Sequence, residues 1–412
     1  MTDMGTTRLS LLLSVACMSA LVAGCSRINA SNGGSDSVAP GATSADTVVA
    51  HTFFPEHRRA PDDVTNVLHV PAGFAVDAFA EGISGARMLA VSDDGTVYVT
   101  RPDAGEVTML RPDASGKAQR SPAARGMPGV HGIAIRGNQM YLATTKEVTV
   151  ADIDSDGSLG ERRVIVASLP DGGQHARRTI GIGPDGMLYI SVGSDCNACA
   201  EPDGEHATML RTPPTGGARE VFASGLRNTI GFDWDPRSHE LWGMDNGIDF
   251  AGDDDPPEEL NRLVQGGDYG WPFRVGNNRV NRLFDRAKVS PTEFQKQTIA
   301  PFLTYAAHAA PIAMVFYSGS QFPGDYQGSA FVAMHGSWNR ESPSGYKVVR
   351  IVFRDGEPQR FDDFLTGFLV DRDKAHIGRP AGLALAKDGS LLVSDDSNGV
   401  IYRVSYSGVK TS

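Results

Sequence analysis

The chain is predicted to be all-β, a single six-bladed β-propeller, on three observations: a strand, turn, strand pattern that recurs six times, a copy spacing near the length of a four-stranded blade, and a scarcity of long amphipathic helical patterns. The 47 Gly and 24 Pro in 412 residues agree, since they favour short strands and tight turns. In chain order the copies are LAVSDDGTVYV around Tyr98, IAIRGNQMYL around Tyr141, IGIGPDGMLYI around Tyr189, IGFDWDPRSHELWG around Trp242, MVFYSGSQFPGDYQGSAFV around Phe331 and LALAKDGSLLV around Leu392. The third shows the logic best: apolar alternation runs up to Ile182, Pro184, Asp185 and Gly186 supply the turn, and alternation resumes through Tyr189 and Ile190. Spacings between the reference residues are 43, 48, 53, 89 and 61, so one extended loop region, residues 244 to 311, is expected between the fourth and fifth copies. A pair of β-sandwiches predicts no such regular spacing.

The N-terminus reads as an export signal. Arg8 precedes the apolar run Leu9 to Gly24, which is short for a spanning helix and ends in Val22-Ala23-Gly24-Cys25. That ending resembles the bacterial lipobox, which implies a lipoprotein signal peptide over 1–24, lipidation at Cys25 and a location facing the periplasm on a lipid anchor. Residues 25–50 then form a Ser-, Gly- and Ala-rich tether, and the propeller domain is expected over 51–412. Once Cys17 leaves with the signal and Cys25 takes lipid, Cys196 and Cys199 remain. No second Cys pair completes a four-thiolate metal site, and in an oxidising compartment a local disulfide is favoured, one that shapes the loop after a strand. The net charge of -11 argues against nucleic acid as a partner.

Architecture does not supply function. The chemistry is sought on loops flanking the strands, where a rigid scaffold holds side chains at a mouth. Four stand out: PGVHGIAI with His131, the segment carrying His175, SGLRNTIGFDWDP with Arg227 and Asn228, and Met244 to Pro272 with its acidic run. A lone His beside a Gly-Gly turn is equally compatible with a solvated loop, so His175 needs partners.

The ordered pieces GPDGMLYISVGSDCNAC, SGLRNTIGFDWDP, DDDPPEELNRLVQGGDYGWP, AMHGSWNRESPSGYKVVRI and GRPAGLALAKDGSLLVSDDSNGVIYRV resemble the pyrroloquinoline quinone (PQQ) dependent sugar dehydrogenases, in particular the proteins similar to L-sorbosone dehydrogenase. The resemblance covers almost all of residues 60 to 408. It implies oxidation of a sugar or sugar aldehyde, with PQQ and Ca²⁺ as cofactors and an electron acceptor, a cytochrome or quinone, as partner. His175 matches the family's base, whose ordinary pKa near 6.5 suits proton abstraction. Arg227 and Asn228 match the pair beside the quinone, where a fixed guanidinium stabilises developing negative charge.

By the same resemblance Asp253 and Asp254 fall at the positions that touch calcium through their carbonyls, within an oxygen-rich run that suits a hard cation. Arg379 matches one arginine that meets a PQQ carboxylate, whereas a second falls on Ala381. The family's lysine is replaced in His335-Gly336-Ser337-Trp338-Asn339-Arg340, with Arg340 or Lys347 as substitutes. His131 occupies a pocket position, and Gln174 stands where those enzymes carry Asp. A calcium-dependent propeller lactonase and a non-enzymatic binding propeller are the competing readings. The first needs side-chain metal ligands from several blades, and the second needs neither metal nor base.

Overall fold

Each of the six sequence copies forms the first two strands of one antiparallel sheet. The computed structural model describes residues 50–113, 118–171, 173–283 and 297–408. The chain divides into the units Met1–Thr47 and Val48–Ser412, and the six sheets belong to the second. The signal peptide, Cys25 and nearly all of the tether lie outside the described residues.

Among the described residues the first sheet is Leu89–Val91, Val97–Arg101, Glu106–Pro112 and Ala118–Ala124. The second is Gly132–Arg136, Gln139–Ala143, Val148–Asp152 and Arg163–Val166. The third is Ile180–Ile182, Leu188–Val192, Thr208–Thr212 and Glu220–Ser224, extended in parallel by Gly267–Asp268. The fourth is Thr229–Trp234, Leu241–Asp245, Glu258–Leu263 and Leu303–Tyr305. The fifth is Pro311–Phe316, Ala330–Met334, Lys347–Arg354 and Glu357–Leu365. The sixth is Pro380–Leu385, Leu391–Asp395 and Val400–Tyr406, completed by Phe74–Ala80 from the other end of the chain.

Tyr98, Tyr141, Tyr189, Trp242, Phe331 and Leu392 all lie on second strands and are all buried, as the periodicity requires of strands covered on both faces. The turn after Ile182 shows why Asp and Gly are needed. Asp185 Oδ1 accepts from the Met187 N–H at 3.0 Å, and Gly186 takes φ 77°, which an L side chain adopts only with strain.

First strands of successive sheets touch, and the sixth touches the first, the third reaching the fourth through its second strand. Backbone approaches are very close. A Cβ on Gly132 would stand 2.7 Å from Arg178 O, one on Gly231 would stand 2.8 Å from Ala313 C, and one on Gly382 would collide with Arg87 O. Between these strands runs a cavity of about 600 Å³ whose lining includes Met88, Ile133, Ile180, Ile230, Ala313 and Leu383. Every sheet contributes to that lining.

The expected loop region 244 to 311 contains two strands of the fourth sheet among its described residues. Glu258–Leu263 and Leu303–Tyr305 are the third and fourth strands of the fourth sheet, and the added length lies between second and third strands and, above all, between third and fourth. The flanking acidic run conceals, in sequence, the burial of Glu258, Leu260 and Leu263.

Closure of the sixth sheet by Phe74–Ala80 is sealed by Phe74, whose ring lies 4.8 Å from Phe322, 5.0 Å from Tyr326, 5.2 Å from Phe364 and 4.9 Å from Tyr406. Phe74→Ala is therefore expected to lower unfolding free energy by about 3 kcal/mol, read by denaturant titration. A change under about 0.5 kcal/mol would show that the terminal strand does not hold the ring closed.

Candidate active site

The residues immediately before the first strands gather at one mouth of the cavity. Arg87 precedes Leu89–Val91, His131 precedes Gly132–Arg136, Arg178 precedes Ile180–Ile182, Arg227 and Asn228 precede Thr229–Trp234, and Arg379 precedes Pro380–Leu385. The residues that end or follow second strands, Ser194, Asp245, His335 and Asp395, meet them from the adjacent strand. One device recurs. Asp245 Oδ2 accepts the Arg227 N–H at 3.0 Å while Oδ1 accepts the Asn228 N–H at 2.9 Å, and Asp395 Oδ1 accepts the Arg379 N–H at 3.0 Å. A buried carboxylate at the end of a second strand thus fixes the backbone of each arginine.

His175 is held by Nδ1, which donates to Ser194 O at 2.6 Å because a carbonyl only accepts. Nε2 is therefore the lone-pair nitrogen. Burial, then the Arg227 guanidinium, lowers the imidazole pKa to about 4. The carbonyl thus does the orienting that Gln174 cannot. A Cβ on Gly193 would lie 2.6 Å from His175 Cβ and 2.7 Å from Asn228 Oδ1, so His175 and Asn228 are packed against one glycine.

Arg227 is 4% exposed. Its Nε and Nη2 donate to O and Oδ1 of Asn197 at 3.1 and 2.8 Å, and Nη1 donates to Asn246 O at 3.1 Å. Asp249 Oδ2 lies 3.7 Å from Nη2, and the guanidinium carbon sits 5.6 Å from the Trp271 ring centroid. Arg178 Nη1 donates to His175 O at 2.7 Å, which ties His175 to the second sheet's entrance, since Arg178 O accepts from His131 Nδ1 at 3.2 Å.

On the opposite side Arg379 Nε and Nη2 donate to His335 O and Gly336 O at 3.1 and 2.8 Å, with Phe54 and Tyr346 rings 5.3 and 5.6 Å away. Among the described residues no carboxylate stands within ion-pair distance of this guanidinium, and burial depresses its pKa. Arg87 Nη1 donates to Asp396 at 2.5 Å, and His335 Nε2 donates to the same carboxylate at 3.0 Å. Burial works against it, yet His335 and Arg87 hold the Asp396 carboxyl far below the usual range. Burial, then Arg379, lowers His335 to about 4, so its free lone pair is Nδ1, the reverse of His175.

His131 is fully buried, and its Nε2 has no hydrogen-bond partner among the described residues. Burial, then Arg87 and Arg177, lowers its pKa well below normal, so Nε2 is an unmet acceptor. Arg340 and Lys347 sit elsewhere. They line a separate cleft of about 480 Å³, with Arg340 paired to Asp254 at 2.8 Å and Lys347 to Asp363 at 3.0 Å. Asp253 accepts from His51 N and faces His51 Nδ1, both at 2.8 Å, and also accepts the Glu341 N–H at 2.8 Å. The side chains of Asp253 and Asp254 are thus engaged with the N-terminal segment and the Arg340–Glu341 loop. Cys196 and Cys199 are disulfide-bonded, directly after the third sheet's second strand.

Sequence reasoning passes over Arg87, Arg177, Arg178, Asn197, Glu201 and Asp396. One signal exists: Ser84-Gly85-Ala86-Arg87 repeats the pattern Ser224-Gly225-Leu226-Arg227 before a first strand. Nothing comparable marks Asn197 or Asp396, whose roles come from contacts 30 and 309 residues away in sequence.

Residues 68–407 match the TrAA12-like family. An uncharacterized protein of Borreliella burgdorferi is 30% identical over 363 residues, covering 84% of this chain and 93% of the relative. A pyrroloquinoline quinone-dependent sugar dehydrogenase of Hypocrea jecorina is 23% identical over 334 residues, 66% of this chain and 73% of the relative. The calcium structure of a Trichoderma reesei carbohydrate-active enzyme of family AA12 superposes with a TM-score of 0.70 at 22% identity, over 82% of this chain and 97% of that one, a likeness of fold.

Because the folded His175 pKa is depressed, the ring is expected to stay neutral as pH falls past 6.5 and to protonate only near 4 in the free protein, read by ¹⁵N NMR. Arg227→Gln should raise that midpoint, since a positive neighbour is lost. A His175 midpoint near 6.5 in the native protein would contradict its burial and the influence of the Arg227 charge.

Proposed function

Since this chain belongs to the TrAA12-like family of PQQ-dependent sugar dehydrogenases, we propose that it oxidises a sugar or sugar aldehyde at a C–H–O–H centre held over the mouth of the cavity. The six sheets whose strands touch in a closed cycle support reading them as six propeller blades. When bound, PQQ supplies the hydride acceptor, the chemistry no side chain provides.

The residues present fit that cofactor. The half-buried Arg379 guanidinium, bonded to carbonyls and flanked by aromatic faces, has no ion-pair partner among the described residues and is a cation of the kind a polycarboxylate satisfies, with Arg87 beside it. His131 Nε2 is a buried acceptor awaiting a donor. The unpaired Arg379 cation is the observation that carries the reading. Arg340 and Lys347 are paired to carboxylates in their own cleft and Arg87 to Asp396, so we assign the carboxylate-binding role to Arg379, with Arg87 beside it. For Ca²⁺, Asp253 and Asp254 remain the proposed donors. Their backbone carbonyls are the atoms proposed, oxygen donors of the kind a hard cation takes.

His175 Nε2 accepts the substrate's hydroxyl proton, with Nδ1–H anchored on Ser194 O. Arg227 cannot swing away, because all three of its nitrogens are bonded to backbone or amide oxygens, so its charge is already in place when negative charge develops. Asn228 shares the glycine that seats His175 and so faces the same space. A pKa near 4 makes a weak base. The carboxylates of a bound cofactor would offset the field of the arginines and raise the imidazole pKa towards its ordinary value. We further propose that the exported chain is tethered by lipid at Cys25 and passes electrons to a cytochrome or quinone.

Dye reduction with the purified protein, PQQ and Ca²⁺ across aldoses and sorbosone tests this directly. Activity on at least one sugar is expected, lost on EDTA and restored by Ca²⁺. Absence of activity and of any PQQ absorbance change would defeat the proposal. His175→Ala should bind PQQ yet lose at least about 10²-fold in kcat, and the His175 NMR midpoint should rise when PQQ binds. Arg379→Ala should weaken PQQ binding by about tenfold or more, the loss of one charge-assisted bond. Cys25→Ser should move the protein from the membrane to the soluble fraction.

A further inference from the structure

We infer that the disulfide-closed loop Ser194–Glu201 is a single positioning device for both functional side chains, with Asn197 and Glu201 as its two anchor residues. The kinetic consequence rests on the dehydrogenase reading above, whereas the geometry does not. Four observations carry it. Asn197 holds the guanidinium edge of Arg227 twice, through O to Nε at 3.1 Å and through Oδ1 to Nη2 at 2.8 Å. The same amide is locked from behind, because Oδ1 also accepts the Asp249 N–H at 2.9 Å and Nδ2 donates to Asp249 O at 3.0 Å. Glu201 accepts three bonds, from Ser194 Oγ at 2.5 Å, Trp271 Nε1 at 2.6 Å and the Asp195 N–H at 3.0 Å. Ser194 in turn presents the carbonyl that receives His175 Nδ1–H, and its own N–H donates to Arg227 O at 2.7 Å.

One short loop therefore sets the tautomer of the base and the plane of the guanidinium together. Between the two anchors lies the bond from Cys196 to Cys199, which closes the turn that carries Asn197. Trp271 completes the arrangement: its indole N–H binds Glu201 while its ring lies under Arg227. Without this closure the turn that carries Asn197 is held by hydrogen bonds alone, and a misplacement of about 1 Å in a positioning contact costs on the order of 10²-fold in rate. The disulfide constrains a tiny ring, so global stability depends on it little.

The test uses full-length protein and two variants, Asn197→Ala and the double variant Cys196→Ser/Cys199→Ser, with Asn197→Asp as the conservative control that keeps the oxygen facing Arg227. In the apo protein the Arg227 Nη2–H, whose acceptor is Asn197 Oδ1, assigned by its loss in Arg227→Lys, should exchange with water at least about tenfold faster in Asn197→Ala and in the double variant. Asn197→Asp should stay closer to the parent. With PQQ, Ca²⁺ and the sugar oxidised best, kcat should fall about tenfold or more in the first two variants while KM moves less than about twofold, the split expected of lost transition-state positioning. Melting temperatures within a few degrees of the parent establish that the variants are folded. Unchanged Nη2–H exchange in folded Asn197→Ala and double-variant protein would overturn the inference, as would equal losses for Asn197→Ala and Asn197→Asp. A parent protein that oxidises no sugar would instead overturn the dehydrogenase reading, and the exchange rates would still decide the role of the loop.

Discussion

The convergence of the first strands about one axis is the constraint on which the remaining structure depends. Backbones there approach so closely that Gly132, Gly231 and Gly382 leave no room for a methyl group beside Arg178, Ala313 and Arg87. Each contact joins one sheet to the next. Because the strands cannot splay, the residues at their entrances are delivered to a common mouth, and side chains from positions as distant as 87 and 396 become partners.

Placement alone does not orient a long side chain. Asp245 and Asp395 solve the backbone half of that problem in the same way, each accepting the N–H of an arginine from the end of a neighbouring strand. Carbonyls and amides solve the side-chain half. Burial pushes the Asp245 carboxyl up to about 6, the cost of keeping a carboxylate in this low-dielectric interior. Such cost is tolerated where geometry must be held, and Glu258, raised to about 7 by burial, stitches the fourth sheet to the fifth through the N–H groups of Gly247 and Ala310.

Two histidines at the mouth are set as opposite tautomers by their fixed partners. His175 faces a carbonyl and keeps its lone pair on Nε2, whereas His335 faces a carboxylate and keeps its lone pair on Nδ1. Arginines surround both. The result is a preorganised rim of arginines and histidines above a cavity walled largely by apolar side chains. The N-terminal segment adds a wall: His51 bonds Asp253, and the Phe54 ring stands beside Arg379.

The all-β class, the six copies, the buried aromatic or Leu of each second strand, and the candidates His175, Arg227, Asn228 and Arg379 are legible in the chain of residues with no coordinates. Local rules carry them: period-two alternation, Asp-Gly turns, and charged residues flanking apolar strands, together with a family resemblance that singles out those positions. The same rules overstate the loop at 244 to 311, where an acidic run hides the Glu258–Leu263 strand. Which charges meet is settled only in three dimensions. Arg340 and Lys347 are equivalent in sequence to any cation near the mouth, but the fold pairs them with Asp254 and Asp363. Conversely Arg87, Asp396, Glu201 and the Cys196–Cys199 loop acquire their roles only when sheets far apart in sequence close into one ring, because hydrogen bonds act over about 3 Å in space and leave no spacing pattern in the chain.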